Sequence, residues 1–444
     1  MSNEIIVGLD IGTTKIACFI GQATENGKIK ILGFGKTESI GVERGVVKNI
    51  DDTAESIKKA VEEASAKAEY EVTEVYVGIA GQHIRSTQSR GSLVLKPGPK
   101  ITEEKDIEEL IQNQYNTLLD PGETIIHVLP QTFFIDGEEL TVNPVGVYGN
   151  TLEANFLIVT GKTNNLWHIK ESVKRANLKI KGVVLEPIAS AESVLDDRDK
   201  EAGVALVDIG GGTTDIAIFE EGVIRYTSVI PMAGNLITTD VESTCNIMRK
   251  QAEQLKIKFG SCLPEMVKQD DIISIPGYRN QAAREISMKM LAQIINARTQ
   301  MILEMATSEI SSAGCTKLRG GIVLTGGGAK LTYIDKLSAF ISATDTRIGL
   351  PDEHLVDDSP EEIIHPMYAT GIGLLLYGIK DKRSQIEKEE VKIKEEVKPE
   401  EKEITTSESE TQPEQESVTK SSKGKGFVDA VTGFFKDFFT EDEK

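Results

Sequence analysis

The sequence contains two copies of one glycine-rich turn, which lie 198 residues apart. The first copy is Asp10-Ile11-Gly12-Thr13-Thr14-Lys15, and the second is Asp208-Ile209-Gly210-Gly211-Gly212-Thr213-Thr214-Asp215. Each copy stands between two short apolar runs, which predicts strand, tight turn and strand and not a turn that begins a helix. The repeat therefore indicates two related half-domains, each built around such a hairpin.

The residue types in both turns are typical of a phosphate site. Glycines let backbone N–H groups converge on an anion, and threonine hydroxyls add donors. Each turn also begins with a carboxylate, Asp10 or Asp208, which would repel phosphate unless a divalent cation such as Mg²⁺ lay between them. We predict a Mg-nucleotide held between the half-domains; the alternative is a pair of structural hairpins. The turns match neither a Walker loop nor a Rossmann fingerprint, because a strand follows each one.

The overall composition narrows the class of protein. A chain of 444 residues with 39% hydrophobic content can bury large cores and predicts a globular protein of several domains. A formal net charge of −20 argues against a nucleic-acid partner, which would need clustered Lys and Arg. The N-terminus predicts no secretion signal, and no apolar run is long enough to predict a spanning helix. Four cysteines without metal-type spacing fit a reducing cytosol; they are Cys18, Cys245, Cys262 and Cys315.

Changes of pattern divide the rest of the chain. Residues 83–160 mix short strands with one acidic helix and predict a small inserted domain, whereas residues 237–312 are mainly helical. A third glycine turn, Gly326–Gly328, follows a buried-type strand and could receive a base and ribose, although it is also an ordinary strand-to-helix connection. From about Asp381 the composition turns to Glu, Lys, Ser, Thr and Gln, which predicts disorder apart from helix continuing as far as Glu396.

The last segment, residues 424–441, predicts an amphipathic helix. Its apolar side chains fall within an arc of about 140° at 100° per residue, and the polar residues face the other way. The part of this helix that carries the apolar side chains, residues 427–439, is about 20 Å long. It is too short to cross a hydrocarbon core of about 30 Å, so we expect it to lie in the membrane interface. The alternative is docking on the protein's own core or on a partner helix. The predicted membrane-binding residues are Phe427, Val428, Val431, Phe434, Phe435, Phe438 and Phe439.

Several segments resemble the actin, Hsp70 and sugar-kinase ATPase superfamily. Besides the two turns they are Glu186–Ala191, Ala252–Lys256, Thr325–Ala329 and Tyr368–Gly373. A second set resembles, more closely, the FtsA family of bacterial actin-like division proteins: Val77–Ser86, His127–Gln131, Asn143–Gly146 and Leu152–Ala154. The amphipathic tail completes this resemblance, which covers about residues 4–380 and the last twenty.

The resemblance implies an α/β chain with a two-lobed actin-like ATPase fold and an inserted small α+β subdomain. A disordered linker and a C-terminal amphipathic helix would follow. The implied divisions are subdomain 1A (1–82, 162–198 and 365–385), the SHS2-like subdomain 1C (83–161), subdomain 2A (199–240 and 306–364), subdomain 2B (241–305), the linker (386–423) and the membrane-targeting helix (424–441).

The resemblance also implies ATP and Mg²⁺ between the lobes. Lys15 would lie near the β and γ phosphates, and Asp10 and Asp208 would hold the ion through water. Glu186 stands where actin-type ATPases place the residue that orients the attacking water; the alternative is a structural carboxylate at a helix start. We therefore expect ATP binding with weak or no hydrolysis. The predicted nucleotide-binding residues are Asp10, Gly12, Thr13, Thr14, Lys15, Asp208, Gly210, Gly211, Gly212, Thr213, Thr214, Glu253, Lys256, Gly326, Gly327 and Gly328.

The function that the resemblance implies is a self-assembling protein that anchors the FtsZ division ring to the cytoplasmic face of the membrane and helps recruit later division proteins. The implied partners are the FtsZ C-terminal peptide at residues 241–305, further copies of the chain in a polymer, membrane lipid at the tail, and other division proteins at residues 83–161. The alternatives are a PilM-like ATP-binding adaptor, which is not expected to bring its own anchor helix, and a sugar or carboxylate kinase of the same superfamily.

Overall fold

The computed structural model describes residues 5–396 except Glu25, Pro97, 141–142, Gln269, 277–282, Thr316 and Asp358. In that part of the chain the strands are β1 (Ile5–Ile11), β2 (Lys15–Ala23), β3 (Ile29–Glu38), β4 (Val42–Glu43), β5 (Val46–Val47), β6 (Glu74–Ile79), β7 (Arg85–Val94), β8 (Lys100–Ile101), β9 (Glu123–Ile135), β10 (Glu138–Leu140), β11 (Tyr148–Gly149), β12 (Thr151–Lys162), β13 (Lys179–Leu185), β14 (Val204–Ile209), β15 (Thr214–Glu220), β16 (Val223–Ile230), β17 (Ile272–Ile275), β18 (Arg284–Ser287), β19 (Ile322–Thr325) and β20 (Thr346–Ile348). The helices are α1 (Ile50–Ala68), α2 (Glu104–Gln114), α3 (Thr163–Arg175), α4 (Glu186–Val194), α5 (Asp197–Ala202), α6 (Gly234–Cys245), α7 (Arg249–Phe259), α8 (Met288–Ser312), α9 (Ile334–Ser342) and α10 (Ala369–Glu396).

Lobe 1 is built on a five-stranded sheet in the order β13-β6-β1-β2-β3. Strands β1 and β2 form an antiparallel hairpin across the first glycine turn, and β1, β6 and β13 run parallel. Helices α1 and α10 contact the sheet through two separate buried clusters. Both faces of the sheet are therefore covered, which explains why β1 and β2 are almost continuously apolar.

Helix α1 shows how the local sequence sets these elements. Its N-cap is Asn49, whose side chain accepts the backbone N–H groups of Asp51 and Asp52 at 3.0 and 3.3 Å. The buried face includes Ile57, Ala60, Val61 and Ala64, at the predicted helical spacing. A left-handed Glu69, with φ of 49°, ends the helix.

Lobe 2 repeats the topology of lobe 1, with a sheet in the order β16-β15-β14-β19-β20. Strands β14 and β15 form the hairpin across the second glycine turn, and β14, β19 and β20 run parallel. Residues from α6, α7, α8 and α9 form one buried cluster with this sheet. The prediction of two related hairpins in two half-domains is confirmed.

The inserted subdomain is the segment between β6 and α3, and it contains a four-stranded antiparallel sheet in the order β10-β9-β12-β7. Helix α2 packs on it, and the two share a separate core that includes Ile107, Leu110, Phe133 and Phe156. The chain leaves lobe 1 after β6 and returns to it at α3. This segment is therefore a small α+β unit with its own hydrophobic core.

Helices α4 and α10 cross close to the second glycine turn, where their residues Ser190 and Thr370 bond Asp208. A Cβ atom at Gly373 would lie 1.7 Å from the carbonyl oxygen of Ala189, so only glycine permits this crossing distance. Helix α10 continues to Glu396. Among the helices of residues 5–396 that the structure describes, none is both long and apolar enough to span a bilayer. The predicted linker beyond 396 and the amphipathic helix at 424–441 lie outside the described residues.

Candidate functional site

The two glycine turns come together in the cleft between the lobes, around a cavity of about 270 Å³. Glu186 and every predicted nucleotide-binding residue except Thr214 line this cavity. Thr214 instead lies fully buried in β15, where its hydroxyl donates to the carbonyl oxygen of Met232 at 2.8 Å. The folding of two distant hairpins thus brings together side chains that are far apart in the sequence.

The first turn is closed by a bond from the N–H of Gly12 to the carbonyl oxygen of Lys15 at 3.1 Å. Lys15 Nζ lies 2.6 Å from Asp10 Oδ2. Burial acts to lower the pKa of Lys15, but the Asp10 carboxylate, with a smaller contribution from Asp208, raises it above its ordinary value. The ammonium group therefore stays charged at the bottom of the cleft.

The second turn is closed in the same way, by a bond from the N–H of Gly210 to the carbonyl oxygen of Thr213 at 2.9 Å. Its leading carboxylate, Asp208, accepts hydrogen bonds from the hydroxyls of Ser190 at 2.7 Å and Thr370 at 3.4 Å. Those donors belong to α4 and α10, so the two crossing helices orient this carboxylate.

The tips of the turns are in direct contact across the cleft. A Cβ atom at Gly211 would lie 1.8 Å from Thr14 Oγ1, and one at Gly212 would lie 2.5 Å from Thr13 Oγ1. Any residue larger than glycine at these positions would force Thr13 or Thr14 out of its present position. The glycines thus serve the close approach of the two lobes as well as the shape of each turn.

Carboxylates crowd one side of the cavity. Burial, and then the charges of neighbouring carboxylates, raise the pKa of Glu186 and of Asp215 well above their ordinary values. Burial raises the pKa of Asp208 to about 6, although the Ser190 hydrogen bond acts in the opposite direction. A region this rich in mutually repelling acids is suited to a cation that would relieve the repulsion.

The residues predicted for the adenosine side form a polar cluster on lobe 2. Lys256 Nζ lies 2.8 Å from Glu253 Oε2 and donates to the carbonyl oxygen of Gly234 at 3.0 Å. Thr238 Oγ1 donates to the same Glu253 carboxylate. Burial lowers the pKa of Lys256. Both charged side chains are therefore held in fixed positions beside the third glycine turn, Gly326–Gly328, which also lines the cavity.

The donor set of the cleft bears on whether a metal ion fits. The described residues contain no group of three or more His, Cys, Asp or Glu side chains that could hold a metal by themselves. Asp10 and Asp208 supply carboxylate oxygens at the cavity. Mg²⁺ commonly takes one or two carboxylates together with water and substrate phosphates, so this pair fits magnesium that arrives with a nucleotide.

Sequence reasoning missed several residues of the cleft. Asp215 was visible as the last residue of the second turn, and Thr370 lies within a segment that resembled the superfamily. No sequence pattern marked the others, because they come from loops and helices that only the fold brings near. The additional lining residues include Gly45, Asp215, Gly234, Asn235, Ile257, Lys330, Leu331, Met367 and Thr370.

Comparison with known proteins identifies the family. A family model described as cell division protein FtsA matches residues 205–373, and a model for the SHS2 domain inserted in FtsA matches residues 81–160. The chain is 37% identical over 379 residues to the cell division protein FtsA of Pseudomonas aeruginosa, covering 85% of this chain and 90% of that one. The chain belongs to the FtsA family of cell division proteins.

A more distant FtsA relative agrees with this assignment, and solved structures of other proteins share the fold. Bacillus subtilis FtsA is 30% identical over 395 residues, covering 89% of this chain and 88% of that protein. The structure of a PilM–PilN type IV pilus biogenesis complex matches with a TM-score of 0.62 at 14% identity, over 85% of this chain and 99% of that one. The structure of the ethanolamine utilization protein EutJ of Carboxydothermus hydrogenoformans matches with a TM-score of 0.50 at 15% identity, over 85% of this chain and 90% of that one. For the described residues, the predicted two-lobed actin-like fold with an inserted subdomain is confirmed.

Proposed function

We propose that this FtsA-family chain binds Mg-ATP, assembles into polymers and anchors the FtsZ division ring to the cytoplasmic face of the membrane, where it helps recruit later division proteins. The observation that carries the proposal is the cleft in which both glycine turns meet between two lobes of matching topology. Its glycine N–H groups, threonine hydroxyls and lysines suit a polyphosphate, and its carboxylates suit the magnesium that accompanies one.

The proposed arrangement of the nucleotide follows from the charges in the cleft. Lys15 and the N–H groups of both turns would hold the β and γ phosphates, while Asp10 and Asp208 would hold Mg²⁺ through water. Glu253, Lys256 and the turn at 326–328 would surround the adenosine, as residues that line the lobe 2 side of the same cavity. A magnesium ion held by Asp10 and Asp208 would offset the repulsion between these carboxylates and the phosphates.

Any hydrolysis of ATP would depend on Glu186. Its side chain lines the cavity, and it begins helix α4 just before Pro187. The raised pKa favours the protonated form, which is a poor general base but can still orient a water molecule. We therefore propose weak or absent ATPase activity. A Glu186→Gln protein that binds ATP and polymerises as the parent protein does would support a structural role for Glu186.

Subdomain 2B, residues 241–305, is the proposed site for the FtsZ C-terminal peptide. Helix α8 exposes Met290, Met301 and Met305, between 39% and 47% of each side chain surface. Methionine side chains adapt to varied apolar partners. Arg298, whose partly buried guanidinium is held by Asp240, adds a charged neighbour. Failure of an FtsZ tail peptide to bind the full chain would remove this partner and leave the fold assignment unaffected.

The proposed division into subdomains follows the boundaries stated above, with other division proteins at 1C and further copies of the chain in the polymer. The membrane attachment is proposed for the helix at 424–441. Interfacial burial of its phenylalanines would give weak binding alone, and polymerisation would strengthen it through many tails on one assembly.

Liposome co-sedimentation tests the whole proposal. The full chain and a version that ends at Lys423 are each pelleted with vesicles, with and without Mg-ATP. We expect pelleting that requires the tail and that Mg-ATP strengthens, and we expect Phe434→Glu with Phe438→Glu to abolish it. If the full chain fails to pellet, the membrane-anchor function is wrong, and an adaptor like PilM, which shares the fold, becomes the better candidate.

A further inference from the structure

The inserted subdomain contacts both lobes, although the chain connects it only to lobe 1. Its strands β7 and β9 lie against β16, and β9 also lies against β13. In their respective sheets, β16 is an edge strand of lobe 2 and β13 is an edge strand of lobe 1. An edge strand leaves a row of backbone N–H and C=O groups without strand partners. The subdomain therefore stands where both lobes need polar partners.

On lobe 1, the partner is His127 of β9. This side chain is 1% exposed, and its Nε2 accepts the backbone N–H of Leu185 at 3.0 Å. Burial lowers the pKa of His127 to about 4, so the ring is neutral at physiological pH, and the bond from Leu185 indicates the tautomer in which Nε2 is the acceptor. Leu185 immediately precedes Glu186, so the bond fixes the backbone from which the Glu186 side chain enters the nucleotide cleft.

On lobe 2, the main partner is Gln131, four residues further along β9. Its amide nitrogen donates to the carbonyl oxygens of Ile224 at 3.1 Å and Arg225 at 3.3 Å. The Arg225 guanidinium returns a bond to the carbonyl oxygen of Gln131 at 3.4 Å. Ser86 of β7 adds a bond to the carbonyl oxygen of Thr227 at 2.9 Å. Three backbone carbonyl oxygens of β16, those of Ile224, Arg225 and Thr227, thus accept side-chain hydrogen bonds from the inserted subdomain.

The strand geometry explains how one strand serves both lobes. In the pairing of β9 with β12, the register moves from Thr132 opposite Asn155 to Pro130 opposite Phe156, which leaves Gln131 as the extra residue of a β-bulge. A bulge redirects the side chain of the extra residue and ends its part in the ladder. Gln131 is therefore directed out of its own sheet and towards β16, where it is buried.

We propose that the inserted subdomain is a strut that holds the two lobes in the closed arrangement, with His127 fixed on lobe 1 and Gln131 on lobe 2. This inference rests on the proposed binding of Mg-ATP in the cleft. The turn tips touch in the same closed arrangement, so the strut and the nucleotide both favour one relative position of the lobes. Coupling of this kind is reciprocal: loss of the strut weakens nucleotide binding, and the nucleotide tightens the contact between the subdomain and β16.

The test uses the full chain and a Gln131→Leu variant. Leucine is similar in size to glutamine, but it is apolar and cannot donate a hydrogen bond to β16. Mg-ATP affinity is measured with a fluorescent nucleotide, and hydrogen exchange of residues 223–230 is followed with and without Mg-ATP. We expect the variant to bind Mg-ATP about 5-fold more weakly and to lose the slowing of exchange that Mg-ATP causes in the parent protein. The control is Arg90→Ala on β7, because Arg90 pairs with Glu153 inside the subdomain; its affinity should stay within about 1.5-fold of the parent value.

A second pair of variants tests the lobe 1 contact. His127→Leu cannot accept the Leu185 N–H, so exchange of that amide should become faster and Mg-ATP affinity should fall. His127→Gln offers an acceptor and should restore both. The strut is disproved if the parent chain binds Mg-ATP and both Gln131→Leu and His127→Leu bind it equally well with unchanged exchange. If the parent chain itself does not bind Mg-ATP, the proposed nucleotide binding is wrong. That outcome needs no variant, so it is distinguishable from failure of the strut.

Discussion

The two glycine turns share sequence and hairpin geometry but differ in their charges. In the first hairpin, Asp10 lies opposite Ala17 in the strand register and is paired with Lys15 at 2.6 Å. In the second, Asp208 lies opposite Asp215, a second buried carboxylate. One copy of the turn therefore carries its own counter-ion, whereas the other places two acids side by side.

This difference indicates separate tasks for two turns of common design. The first turn is close to neutral without a ligand and can present N–H groups and an ammonium to phosphate. The second turn costs stability until a cation arrives, because burial and mutual repulsion oppose ionisation of its carboxylates. Strain of this kind is common where activity and stability compete. Substitutions in the turns and around them test this division of tasks.

The largest expected effect comes from closing the space between the turns. In Gly211→Val, the new side chain would overlap Thr14, whose Oγ1 lies 1.8 Å from the ideal Cβ position, so the two turns could not keep their present contact. We expect Mg-ATP affinity to fall about 100-fold or more by isothermal titration calorimetry. Binding by Gly211→Val at parent affinity would show that contact of the turns is not needed.

The second effect is a gain and not a loss: removing the charge of Asp208 should increase the free energy of unfolding. The pKa of Asp208 is raised from 3.8 to about 6 in the folded protein. The native state therefore binds more protons than the unfolded state between these values, and stability falls as pH rises through that window. Asparagine cannot ionise, so Asp208→Asn removes this pH-dependent loss of stability. It should stabilise the nucleotide-free protein at pH 7 by up to about 3 kcal/mol. The gain should vanish near pH 3.5 in denaturant titrations.

The same Asp208→Asn variant should lose affinity for Mg-ATP even though it is more stable. Equal stabilisation at pH 3.5 and pH 7 would show that ionisation of Asp208 is not the source of the effect.

A smaller effect is expected from removing the counter-ion of the first turn. Lys15→Gln leaves Asp10 unpaired in the cleft and removes a charge from the phosphate side, so Mg-ATP affinity should fall about 30-fold, or about 2 kcal/mol. Lys330→Gln is the control, because Lys330 lines the same cavity but forms no ion pair with a described residue. If both variants lose the same affinity, the general positive charge of the cleft matters and the Lys15–Asp10 pair does not.

Much of the fold followed from pattern. The two hairpins, helix α1 and strand β6 were predictable because their apolar residues follow the period of one secondary structure without interruption. Strand β18 was not, because its four residues, Arg-Glu-Ile-Ser, contain one apolar side chain and no visible alternation. Its partner β17 pairs with it through tertiary context that local sequence does not encode.

The site was predictable where one short segment holds its parts together. Both turns show their glycines, threonines and acids in sequence, so their role as a pair could be inferred. The contacts of Asp208 with Ser190 and Thr370 could not, because those residues lie on helices whose crossing depends on the packing of Gly373 against Ala189. Likewise, no periodicity reveals that the inserted subdomain reaches lobe 2.

The smallest expected effect comes from one of those unpredicted contacts. The Ser190 hydroxyl donates to Asp208 at 2.7 Å and holds the pKa of the carboxyl lower than burial alone would leave it. Ser190→Ala should raise that pKa further, so protons compete better with Mg²⁺ and the Mg-ATP affinity at pH 7 should fall about 5-fold. The affinity curve against pH should move to higher pH, since the carboxylate must ionise before it holds the ion. Ser193→Ala is the control: its hydroxyl bonds only backbone carbonyls of Ser190 and Ala369. If both variants keep the parent pH profile, the charge state of the second turn does not control binding, and the contrast between the turns is only structural.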